Sequence, residues 1–216
     1  MNDPLITFTY ETEKDIWCIA NKGKSSNNSS QATKVYQLLE SRYGENPTEE
    51  NIKTFISEYL QERNVSTKAC IQQYTDEWAI VSDEYHKRAS GVFGVKLPKL
   101  VTAYLTINNR CPYNIAENLF YVSFPRESVR KTIMHELWHF YTWYGLGPEE
   151  EVRLGKERYN DYKEALTVLL NEVCTDLLPE GMTDEGYPQH QTLRGDILKH
   201  WQSDKDIHKL WDEITK

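Results

Sequence analysis

Apolar and polar positions alternate in ITFTYE near the start of the chain, the two-residue period of a half-buried strand. NKGKSSNNSSQ at 21–31 breaks the pattern: polar and short of apolar residues, it reads as a flexible loop. Three- and four-residue apolar steps then take over in 32–43, 48–63 and 66–90, as in Ile52, Phe55, Ile56, Tyr59 and Leu60, and predict amphipathic helices. Thr48 followed by Glu49 and Glu50 makes a start for the second of them, since acidic side chains favour the positive end of the helix dipole. Past Gly91 the texture changes. VTAYLTI at 101–107 and NLFYVSF at 118–124 are rich in β-branched and aromatic residues and read as two paired strands, joined by the turn-rich NNRCPYNIAE. Pro125 suits the first turn of a helix that runs to Gly145 and Gly147. NDYKEALTVLLNEVCTDLL at 160–178 reads as a further helix, with Asn160 as its N-cap. No internal repeat is visible. The sum is an α+β protein with a mainly helical N-terminal region, 1–96, and a second domain, 97–216.

At 216 residues and 39% hydrophobic, with 14 Tyr and 6 Trp, the chain can bury a core, and a disordered polypeptide is excluded. The net charge of −8 argues against a nucleic-acid partner, because phosphate binding relies on clustered Lys and Arg. The opening residues lack a basic stretch followed by a long apolar run, and no segment approaches the roughly 18 apolar residues of a membrane helix, so no membrane partner and a cytoplasmic location are expected. Cys18, Cys70, Cys111 and Cys174 form no CxxC pair and are expected to be reduced and structural.

The chemistry concentrates in one stretch, SVRKTIMHELWHFYTWYGLG, which contains His135-Glu136-Leu137-Trp138-His139. Two histidines four residues apart on a helix lie about 40° apart around its axis and one turn apart along it, so both imidazoles reach one zinc ion from the same face. Glu136, about 100° from His135, can flank the metal and take a proton from its water without binding it. Val129, Ile133, Leu137, Phe140 and Tyr144 form an apolar stripe roughly opposite the histidines, which lets the helix pack while presenting its metal face.

On this HExxH pattern the chain resembles the zincin metallopeptidases. His139 is followed by Phe140-Tyr141-Thr142-Trp143-Tyr144-Gly145, without the third histidine of the met-zincins, so the resemblance is to the compact gluzincins, in which a glutamate on a second helix completes the site. Two residues of 160–178 compete for that role. Glu164, in Glu164-Ala165-Leu166-Thr167, is favoured because Asn160 as N-cap would put it in the first turns; Glu172, in Asn171-Glu172-Val173-Cys174-Thr175-Asp176, matches the family's letters better but lies near the helix end. Asn171 and Thr175 fall on the same stripe as Glu164, with Asn171 as support for a ligand. Tyr187 and His190, in DEGYPQHQTLR, are the candidates for steadying an oxyanion.

The resemblance implies a zincin-like catalytic domain over 97–216 and a zinc-dependent peptidase acting on a peptide or protein substrate. Zn2+ is held by His135, His139 and the glutamate, and Glu136 acts as general base. Strand 101–107 or 118–124 would take the substrate by strand addition. Residues 1–96 match no known pattern and are candidates for self-inhibition or partner recognition. Two other readings stay open: a regulatory peptidase that cleaves a repressor, and a zinc-binding interaction domain without turnover.

Overall fold

The computed structural model describes residues 5–24 and 31–216. The core of the expected 21–31 loop, residues 25–30, lies outside the described residues. The protein is α+β, about 63% helical, with one four-stranded mixed sheet. Its chain divides into two compact units, each discontinuous in sequence.

One unit comprises Leu5–Trp78 and Leu100–Val129 and holds the sheet. Strands β1 (Leu5–Thr9), β2 (Leu100–Thr106), β3 (Tyr113–Asn114) and β4 (Leu119–Ser123) lie in the order β1-β2-β4-β3. Ile6 pairs with Val101 and Ala103 with Phe120 in parallel register, while Tyr113 and Asn114 run antiparallel to Phe120 and Leu119. Phe8, Val101, Ala103, Leu105, Phe120 and Val122 are buried. Helix α1 (Thr12–Lys22) packs on β2 and on α3 (Glu49–Glu62), which also meets α2 (Lys34–Tyr43); α4 (Thr67–Ala79) follows. The predicted start of α3 is a full capping box: the Thr48 hydroxyl accepts from Asn51 N, and the Asn51 side chain accepts from Thr48 N. Helix α1 does not follow from the apolar pattern. Its buried residues are only Asp15, Cys18 and Ile19, a short stripe interrupted by an acid. That acid ties the helix to the sheet, as Asp15 Oδ1 accepts from Thr106 Oγ1 at 2.6 Å and from Ile107 N at 3.2 Å.

The expected strands form and pair, but β2 is interior and cannot take an added strand. β4 has β2 on one side and β3 on the other at Leu119 and Phe120, with Tyr121 N donating to Pro112 O. The edges of the sheet are β1 and β3, because a strand distant in sequence, β1, has taken the position beside β2.

The second unit comprises Ala79–Lys99 and Arg130–Lys216: helices α5 (Ser82–Phe93), α6 (Arg130–Leu146), α7 (Pro148–Leu154), α8 (Lys156–Leu166), α9 (Leu170–Val173), α10 (Gln191–Ser203) and α11 (Ile207–Ile214). Helix α6 packs against α5, α7 and α8, and α10 against α8 and α11. Tyr85 Oη donates to Met134 O at 2.8 Å and His86 Nδ1 lies 2.9 Å from Tyr141 Oη, so the α5–α6 contact carries a buried polar seam.

Several boundaries differ from the pattern reading. The expected 66–90 helix is two helices, since the chain passes from one unit to the other between Trp78 and Ala79 and residues on either side serve different cores. For the same reason the division does not follow a cut at 96/97: α1–α4 share a unit with the strands. Helix α6 starts at Arg130 rather than near Pro125. In the five residues before it, Arg126 N donates to Tyr74 Oη at 2.9 Å and Val129 N to Glu77 Oε2 at 3.4 Å. Side chains distant in sequence satisfy those amides in place of a first turn. Finally, 160–178 is not one rod. Helix α8 begins at Lys156 after Gly155 (φ +78°) and ends at Leu166; a 3-10 turn, the short α9 and a second 3-10 turn follow. Asn160 is therefore inside α8, its side chain accepting from Lys163 Nζ at 3.0 Å, and Glu164 stands in the last turn.

Candidate metal centre

Helix α6 is buried nearly all round: Ile133, Leu137 and Phe140 have no exposed surface, as their stripe predicts, although Tyr144 is partly exposed. A helix so enclosed must either bury its polar side chains or satisfy them. His139 and Glu136 are both buried, and His135 is half-buried. Glu136 Oε2 is buried without a hydrogen-bond partner.

The i, i+4 spacing brings the two imidazoles together as expected, with His135 Nε2 and His139 Nε2 3.0 Å apart. From α8, Glu164 closes the group: Oε2 lies 3.6 Å from His135 Nε2 and Oε1 3.4 Å from His139 Nε2. Three ligand atoms at the corners of a tetrahedron around zinc, with bonds of about 2.0–2.1 Å, stand about 3.3–3.5 Å from one another. The separations here, 3.0 to 3.6 Å, are of that size. His135, His139 and Glu164 are the one group of metal-ligating type that converges in this way among the described residues. Glu172, the rival ligand, is exposed on α9 and outside the group.

Behind His135 stands a residue the pattern reading does not single out. His135 Nδ1 donates to Asp184 Oδ2 at 2.7 Å, which fixes the ring so that Nε2 faces His139 and Glu164. Asp184 sits in the loop between the second 3-10 turn and α10. Its Oδ1 lies 2.8 Å from Thr167 Oγ1 and 3.1 Å from Arg194 Nη1. Asn171 grips its backbone from both sides, accepting from Asp184 N at 2.7 Å and donating to Asp184 O at 2.8 Å. Asn171 therefore supports the site through Asp184. Thr175, in the second 3-10 turn, donates back onto Asn171 O of α9.

The electrostatics follow from burial and from three carboxyl groups near two imidazoles. Burial works against a charged His135, but hydrogen bonds to Asp184 and Glu164 outweigh it and hold the ring at about 10. His139 is pushed below its ordinary value, chiefly by burial. Burial would raise Glu164, yet the charge on His139 and hydrogen bonds from both rings carry it far below the usual carboxylate range. Glu136 goes the other way, to about 8, through burial reinforced by Glu164 and Asp184 and opposed by His135. A place where a proton is held this firmly between carboxylates and imidazoles is one where a divalent cation competes for the same lone pairs.

His190 is buried and pairs through Nε2 with Asp161 Oδ1 at 3.1 Å. Asp161 precedes Glu164 by three residues on α8, so the pair stands one turn from Glu164. Tyr187 is half exposed, its ring edge-on to His190 at 5.8 Å. The four cysteines are free, with Cys18, Cys70 and Cys174 buried and Cys111 half-buried. His200 and His208 take no part in the group. Among the described residues, no helix is long and apolar enough to cross a membrane.

No family model, curated protein or solved structure matches this chain.

Proposed function

We propose that the chain is a zinc-dependent metallopeptidase of zincin-like type, with His135, His139 and Glu164 as metal ligands and Glu136 as general base. The observation that carries this reading is the convergence of those three donor atoms, all within 4.8 Å of one another, beside a buried carboxyl group with an unengaged oxygen. The donor set fits the group: two imidazole nitrogens and one carboxylate are the ligand types of a catalytic zinc site, which leaves a fourth position open. When bound, zinc would supply Lewis acidity, lowering the pKa of a water and polarising a carbonyl.

The chain's own residues do the rest. Glu136 takes the proton from the attacking water as its oxygen bonds to the peptide carbonyl carbon, and passes that proton to the leaving amine as the C–N bond breaks. Asp184 keeps His135 in the tautomer that presents Nε2. Of the two oxyanion candidates, His190 is the better placed, since Asp161 holds it one turn from Glu164, whereas Tyr187 is exposed.

The test is metal analysis of the purified full chain together with cleavage of a peptide library by wild type and Glu136→Gln. Expected are about one zinc per chain and a loss of about 10²–10⁴-fold in turnover for the variant. Wild type without metal would overturn the reading; metal with no Glu136-dependent cleavage would identify a zinc-binding interaction domain instead.

A further inference from the structure

Arg194 on α10 is only 4% exposed, as deep as most of the apolar core. Burying a guanidinium is costly unless its donors are matched, and truncating one partner of such a pair leaves the other charge uncompensated. The donors of Arg194 are directed at two residues. Nη1 lies 3.0 Å from Thr167 Oγ1 and 3.1 Å from Asp184 Oδ1, and Nη2 donates to the main-chain oxygen of Asp184. Both partners lead to the metal centre. The other oxygen of Asp184 accepts from His135 Nδ1, and the Thr167 hydroxyl also lies 2.7 Å from the carbonyl of Glu164. The loop is shaped to admit the guanidinium: a Cβ on Gly186, whose φ is +62°, would stand 2.5 Å from Arg194 Nη1.

We propose that Arg194 is a positioning residue of the metal centre: its planar fork locks the Asp184 carboxylate and the Thr167 hydroxyl, and through them the ring of His135. The inference rests on the metal-site reading above and adds to it a residue that touches neither metal nor ligand. A carboxylate held at one oxygen by His135 alone is free to swing about its Cβ–Cγ bond. Held at the other oxygen by a rigid fork that also grips its own backbone, it presents Oδ2 to Nδ1 in one orientation. A lysine ammonium keeps the charge but cannot reproduce three directed contacts.

Beside the guanidinium is a pocket of about 400 Å³, lined by Val168, Gln191, Gly195 and Leu198 together with Asp184 and Arg194. It gives a small cation access to the space that a truncated side chain would leave, and makes the idea testable by chemical rescue. Zn2+ affinity is measured on the full chain by competition with a chromophoric chelator for wild type, Arg194→Ala and Arg194→Lys. The His135 ring nitrogens of the zinc-loaded proteins are followed by long-range 1H–15N NMR. The Ala variant is expected to bind Zn2+ about 10–100-fold more weakly, with a displaced or broadened His135 Nδ1–H signal, both partly restored by methylguanidinium. The Lys variant should fall between the two. Should the Ala variant not fold, the Lys variant carries the test alone. Affinity within about twofold of wild type, or weaker binding with an unchanged His135 signal, overturns the positioning role. Wild type that binds no Zn2+ overturns the metal-site reading itself, and this inference with it.

Discussion

Asp15 offers a direct check on how the sheet unit is held together. The carboxyl group is fully buried and accepts from Thr106 Oγ1 and Ile107 N. Even so, burial outweighs these hydrogen bonds and raises it from 3.8 to about 7. The folded protein therefore keeps its proton between pH 4 and 7 while the unfolded chain has lost it. Stability from this group is present below pH 4 and is lost as pH rises through 7. The separation is about three pH units at about 1.36 kcal/mol each, so Asp15 costs the folded state up to about 4 kcal/mol at pH 8. Asp15→Asn removes the charge and leaves one amide oxygen able to accept from both donors. Urea unfolding followed by circular dichroism should find the variant close to wild type at pH 4.5 and more stable by up to about 4 kcal/mol at pH 8. Amide exchange at Ile107 reports the same site independently. A stability difference that does not change with pH, or a variant less stable at pH 8, would refute the reasoning that burial outweighs hydrogen bonding at this carboxyl group.

Glu164→Gln should weaken zinc binding at least tenfold in a chelator competition, whereas Glu172→Gln should leave it unchanged, because only the former carboxylate faces the two imidazoles. His190→Ala should lower kcat by about 10²-fold with little change in KM, the magnitude of one lost oxyanion donor, and Tyr187→Phe should stay within about threefold; the reverse order in steady-state kinetics would reassign the roles. Leu137→Ala, at a fully buried position of α6, should cost about 2–5 kcal/mol in chemical denaturation. A cost under about 1 kcal/mol would mean that the stripe opposite the histidines is not packed as described.

What is legible in the sequence is what depends on neighbours in the chain. The i, i+4 spacing of His135 and His139, the apolar stripe on the same helix, the Thr48 cap and the β-branched and aromatic runs of β2 and β4 are local regularities, and each appears where its pattern places it. Glu164 rather than Glu172 joins the histidines, as expected, but for a different reason. The helix does not begin at Asn160, and Glu164 reaches the histidines from its last turn. Helix α1 is hidden from pattern because an acid interrupts its short buried stripe, and that acid is matched by contacts more than ninety residues away.

Asp184 and Arg194 are beyond local pattern altogether. Asp184 lies in a loop with no periodicity to single it out from Glu180 or Glu185, and Arg194 looks like one more exposed charge on an amphipathic helix. Sequence alone thus determined the helix that carries His135, Glu136 and His139, because side chains one turn apart share a face whatever surrounds them. Only the tertiary structure decided which glutamate completes the group, which carboxylate orients His135 and which arginine holds that carboxylate. Those pairings depend on where the last turn of α8 and the 184–187 loop meet α6, and where α10 meets that loop, which is set by the packing of whole elements.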